Sequence, residues 1–108
     1  MVKEELELKE GSIEDILRSK DKTYVLFYAS WCPFSQMFLP IFKAYEKDNP
    51  TQCLRVMIDY KPELCDKYSI DYYPTVILFK KDKVHKRLDA TPGAGLTKKQ
   101  LSKFTETP

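Results

Sequence analysis

The sequence has one histidine, His85, and no two cysteines separated by two residues. A four-ligand zinc site therefore has no ligand set. Three cysteines, Cys32, Cys53 and Cys65, are too few, and odd in number, for a disulfide-stapled scaffold. A strong charge of one sign is missing too. The net charge is +2 and the lysines are scattered rather than striped, so nucleic acid is not an expected partner. No apolar run reaches the ~18–20 residues needed to cross a bilayer, and no membrane association is expected. The opening MVKEELELKEG carries no apolar core of a secretory leader. What is present suits a folded chain: 43% hydrophobic and 31% charged residues. A length of 108 residues fits one domain, 1–108, around one core.

Periodicity divides the chain into short elements. Residues 4–9 alternate, with Leu6 and Leu8 on one side, as in a strand with one apolar face. Gly11 breaks it, and Ser12 reads as the N-cap of a helix carrying Ile13, Ile16 and Leu17 to about residue 19. Residues 23–29 are continuously apolar, the pattern of a strand buried on both faces. A helix is expected over 33–47, with Phe34, Met37, Phe38, Ile41, Phe42 and Tyr45 as its core stripe and a kink at Pro40. Strands are expected at 53–58, 75–80 and 84–88, a short helix at 62–68, and a last helix from about Thr97. The order β-α-β-α-β-α-β-β-α predicts an α/β fold: a mixed central sheet with helices on both faces. Helix-joined strands are expected to pair in parallel and the last two to pair antiparallel.

The chemistry concentrates in Trp31-Cys32-Pro33-Phe34-Ser35, between the buried strand and the long helix. A cysteine at a helix N-terminus faces unpaired N–H groups and the positive end of the helix dipole. Both favour the thiolate, the attacking species in disulfide exchange. Trp31 offers an apolar shelf beside it. A second thiol would stand at position 35, where the chain has Ser35. A serine hydroxyl forms no disulfide, so Cys32 is expected to form a mixed disulfide and wait for an outside thiol. Ser35 reads either as a natural monothiol site or as an engineered Cys→Ser.

The element order, Trp31-Cys32, Pro40 in the following helix, Ile58-Asp59, Lys67-Tyr68-Ser69-Ile70 and Pro74-Thr75 together resemble thioredoxin over nearly the whole chain. The resemblance implies the thioredoxin fold, Cys32 as nucleophile, Ser35 at the resolving position, and a cis Pro74 set against Cys32. It also implies a groove in which Trp31, Pro33, Phe34, Tyr73 and Pro74 hold a protein disulfide, no cofactor, and recharging by a reductase or small thiol. Three features depart from the family. Ser35 replaces a cysteine. Pro33-Phe34 replaces Gly-Pro, so that CPFS resembles glutaredoxin sites and raises glutathione as a partner. Leu26 replaces a buried aspartate. Asp89-Ala90 is expected nearest the groove wall.

The reading is thus a disulfide-exchange protein of the thioredoxin type, monomeric and cytoplasmic, with dithiol turnover impaired by Ser35. Two alternatives stand beside it: glutathione-linked monothiol exchange of the glutaredoxin type, and a redox-inactive peptide-binding module. Met37, Met57, Cys53 and Cys65 read as packing residues, both of these cysteines remote from Cys32. Asp59 reads as a cap on the turn into Pro62, and His85 as a solvated side chain.

Overall fold

A computed structural model of the chain describes residues 13–106. The strand expected over 4–9 and the Ser12 N-cap lie outside them. The elements run α1 (Ile13–Arg18), β1 (Lys22–Tyr28), α2 (Pro33–Asp48), β2 (Cys53–Met57), α3 (Glu63–Lys67), β3 (Thr75–Lys80), β4 (Lys83–Asp89) and α4 (Lys98–Glu106). Among the described residues no helix is long and apolar enough to cross a membrane.

The strands form one sheet in the order β2-β1-β3-β4. β1 pairs with β2 in parallel, and antiparallel with β3, which pairs antiparallel with β4. The parallel pairing of β1 and β2 follows from the crossover: α2 has 16 residues, enough to carry the chain back along the sheet. Helix-joined strands were expected to be parallel throughout, and β3 corrects this. Its helix, α3, is only 5 residues long, and the chain re-enters the sheet at the end where β2 left it. Thr75 therefore starts opposite Phe27, near the end of β1. This places Tyr73 and Pro74 beside the loop that carries Cys32.

β1 supplies both cores. Val25 and Phe27 pack with Ile13 and Leu17 of α1, Leu64 of α3 and Ile70. Tyr24, Leu26 and Tyr28 pack with Phe38 and Phe42 of α2 and Leu101 and Phe104 of α4. Two short helices thus cover one face and two longer ones the other. Each such side chain contributes about 1.5–3 kcal/mol by leaving water. α4 begins with a capping box: Gln100 N–H donates to Thr97 Oγ1 at 3.1 Å, and Thr97 N–H donates to Gln100 Oε1 at 2.9 Å. α2 continues through Pro40 as one helix.

On the α2 side lies a buried ion pair. Arg55 Nε donates to Glu46 Oε1 at 2.9 Å, with both side chains almost wholly out of solvent. On the α3 side, Arg87 from β4 donates to the carbonyls of Tyr68 and Ser69 at 2.6 and 3.2 Å, satisfying acceptors just past the helix end. The Tyr68 ring is held between Phe27 and Phe79.

Candidate active site

Cys32 is the N-cap of α2, with extended backbone (φ −91°, ψ 121°) and Pro33 in the first turn. Proline suits that place, because the N–H it lacks would have no partner inside the helix. The residue is 8% exposed, so the thiol is largely covered. Its Sγ faces the carbonyl oxygen of Tyr73 at 3.8 Å as a weak thiol donor. The Tyr73–Pro74 peptide bond is cis, and Pro74 is buried.

Ser35 stands one turn into α2 and is 1% exposed. Its hydroxyl oxygen accepts the backbone N–H of Ala29 at 3.2 Å. The buried hydroxyl thus closes the strand-to-helix turn around Cys32, a hydrogen bond that is costly to leave unmade. Leu26, fully buried in β1, is plain core.

The loop before Cys32 is tied on two sides. Asp59 carboxylate oxygens accept the Ser30 N–H at 3.0 Å and the Ser30 hydroxyl at 2.5 Å. Those bonds hold the Asp59 carboxyl below the usual carboxylate range. The Ser30 carbonyl accepts Gln36 Nε2 at 2.8 Å. Asp59 therefore steadies the Cys32 loop instead of capping the turn into Pro62.

Above the thiol the surface is aromatic. Trp31 is 65% exposed and meets Tyr73 edge to face, with centroids 5.8 Å apart and planes at 89°. Phe34 is half-buried and lies against Gly95, where an added Cβ would stand 3.0 Å from Phe34 Cβ. Gly95 closes a tight loop by exchanging backbone hydrogen bonds with Thr91, at 2.9 and 3.1 Å. It has φ +75°, a conformation that favours glycine.

A family profile described as Thioredoxin matches residues 5–107. The chain belongs to the thioredoxin family. It is therefore a thioredoxin-like member of a family of thiol–disulfide oxidoreductases. Among its relatives, thioredoxin of Acidithiobacillus ferridurans is 34% identical over 95 residues, covering 86% of this chain and 84% of that protein. Endoplasmic reticulum resident protein 44 of Bos taurus is 37% identical over 90 residues, 76% of this chain. This chain spans only 22% of that longer protein. The reduced Schistosoma mansoni thioredoxin pre-protein superposes with a TM-score of 0.77 at 25% identity, covering 91% of each chain.

The thioredoxin fold brings Trp31, Cys32, Pro33, Phe34, Ser35, Tyr73 and Pro74 to one end of the sheet, next to the C-terminal end of β1. One other expectation needs correction. Met37 is 69% exposed rather than core, whereas Met57 packs against the α2-side core as expected. Cys65 packs against the α3-side core as expected, and in addition its Sγ lies 2.9 Å from the Tyr73 hydroxyl. The loop residue against Phe34 is Gly95. Cys53 is buried with the α2 face, and His85 is exposed on β4. Gly95 was not among the expected site residues; its signal in the sequence is a glycine in the loop before the last helix. Cys65 had none, because its partner is reached only through the fold.

Proposed function

We propose that this chain attacks protein disulfides with Cys32 and holds the product as a mixed disulfide. The Cys32 thiolate displaces one sulfur of the substrate disulfide. A Cys32–substrate S–S bond forms, the substrate S–S bond breaks, and the departing thiolate takes a proton from water. Trp31, Pro33, Phe34, Tyr73 and Pro74 border the path of the bound chain. The observation that carries this reading is Ser35: the resolving position holds a buried hydroxyl already engaged by the Ala29 N–H. Nothing within the motif can resolve the mixed disulfide, so forward release falls to a small thiol such as glutathione or to a reductase. The bound Ser35 hydroxyl supports a site built around serine, a natural monothiol. A monomer is the proposed working form.

The test is insulin as substrate, read by non-reducing gel and turbidity. A Cys32–insulin adduct accumulates and Cys32→Ser abolishes it. Ser35→Cys places a thiol at high effective concentration, and shortens the adduct lifetime by about tenfold or more. Leu26 offers no carboxylate to move that thiol's proton, so Ser35→Cys stays slower than a thioredoxin with the buried aspartate. No adduct with wild type, or no gain from Ser35→Cys, overturns the reading. Rapid turnover of a Cys32–glutathione adduct in place of insulin capture would favour the glutaredoxin-type alternative.

The compartment we propose is the cytoplasm, supported by three unpaired thiols, which suit a reducing environment. Tagged full-length protein in fractionated cells tests it. Recovery in the endoplasmic reticulum, the residence named for the longer relatives, would overturn it.

A further inference from the structure

Tyr73 touches three parts of the site at once. Its carbonyl faces the Cys32 thiol at 3.8 Å, its ring meets Trp31, and its hydroxyl lies 2.9 Å from Cys65 Sγ. The first two contacts belong to the exchange site. The third comes from α3 and has no part in the chemistry proposed above. We infer that Cys65 is a positioning residue, whose thiol holds the Tyr73 phenol and so fixes the Trp31–Tyr73 wall over which a substrate peptide lies. This rests on the capture reading, whose failure the experiment below separates.

The support is geometric. Cys65 sits on a fixed element: α3 is clamped just past its C-terminal end by Arg87, and Tyr68 is wedged between Phe27 and Phe79. Cys65 and Tyr73 are both half-buried and pack on the same core face as Cys32. A tyrosine ring is held at its Cα by the backbone. One hydrogen bond at the far end fixes where the ring stands, and with it the ring edge turned toward Trp31. Burial, then the contact with Cys65, pushes the Tyr73 phenol up to about 12. It remains a neutral O–H at working pH, able to donate to or accept from the Cys65 thiol.

A cysteine at this place also fills space, and two substitutions separate the roles. Cys65→Val fills the space, one methyl group larger than cysteine, and loses the hydrogen bond. Cys65→Ser keeps a donor and acceptor. Both lack the thiol, so a difference between them cannot arise from a lost nucleophile. Trp31 is the sole tryptophan, so intrinsic emission reads the wall directly. Capture is timed under single-turnover conditions with insulin and with hydroxyethyl disulfide, which is too small to span the wall.

Cys65→Val is expected to slow insulin capture about three- to tenfold, the worth of one neutral hydrogen bond. Hydroxyethyl disulfide is captured at the wild-type rate, and Trp31 emission shifts. Cys65→Ser restores emission and insulin capture to within about twofold of wild type. Wild-type emission and capture in Cys65→Val overturn the inference. So do equal shifts in both variants, which would assign Cys65 to packing alone. If wild type captures neither substrate, the proposed function falls, and the emission of the Val and Ser variants still decides whether Cys65 holds Tyr73.

Discussion

The two faces of the sheet hold one cysteine each outside the exchange motif, and treat them differently. On the α2/α4 face Cys53 is 2% exposed. Burial, then the Glu46 carboxylate, pushes its thiol up to about 12. On the α1/α3 face Cys65 is half-buried and in contact with the Tyr73 hydroxyl. The helices that cover the two faces differ in length. The 16-residue α2 and 9-residue α4 lay continuous stripes across the sheet. The 5-residue α3 covers less, and Cys65 at its middle stays within reach of Tyr73. Cys53 is sealed inside its core; Cys65 is joined to the groove through Tyr73. Three perturbations break that contrast, in decreasing order of expected size.

The largest is Arg55→Met. It leaves the Glu46 carboxylate buried without its partner and is expected to cost about 3–5 kcal/mol of unfolding free energy. Urea denaturation measures this. Pairing it with Glu46→Leu recovers most of the loss, since the buried charge is then gone. Insulin capture by Cys32 stays at the wild-type rate in the folded fraction. A slowed capture would show that the two faces are not independent.

Gly95→Ala acts on the groove side. Its backbone stands at φ +75°, and the new Cβ would meet Phe34 at 3.0 Å. The expected cost is about 1–2 kcal/mol of backbone strain, more if Phe34 cannot shift. Here stability and capture rate fall together, because Phe34 belongs to the exchange motif. Unchanged capture would remove the Thr91–Gly95 loop from the groove.

Cys53 gives the smallest effect and a pH signature. Its folded value lies above that of the unfolded thiol, near 8.5. Its contribution is whole below that value and is lost as pH rises toward about 12. Stability should fall by about 1 kcal/mol between pH 7.5 and 9.5 from this thiol. Cys53→Ala flattens that limb in thermal melts. The same slope in wild type and variant would show that Cys53 is not the group responsible.

The sequence made the exchange motif legible because its signals are local: an apolar strand, a cysteine, a proline in the first helical turn. It made β1 legible as well, since burial on both faces leaves no polar alternation. α2 shows where such reading stops. Its apolar residues put Met37 inside the stripe, yet the buried line is Ser35, Phe38, Phe42 and Glu46. Two polar residues are buried there because each finds a partner elsewhere in the chain, Ala29 N–H for one and Arg55 for the other. Hydrophobic periodicity cannot see those partners, so it turns the helix too far toward Met37. β3 is a second case. Its direction depends on which end of the sheet the connection returns to, which its own residues do not record. Cys65 is a third, paired with a tyrosine that the fold alone brings near.

β1 carries one more consequence. Alternate residues of a single strand line the two cores, and strands are bonded along both its edges. Among the described residues no seam is left along which the two layers could come apart. An opening wide enough to wet Val25 wets Leu26 too, so the catalytic end and the far layer melt as one cooperative unit.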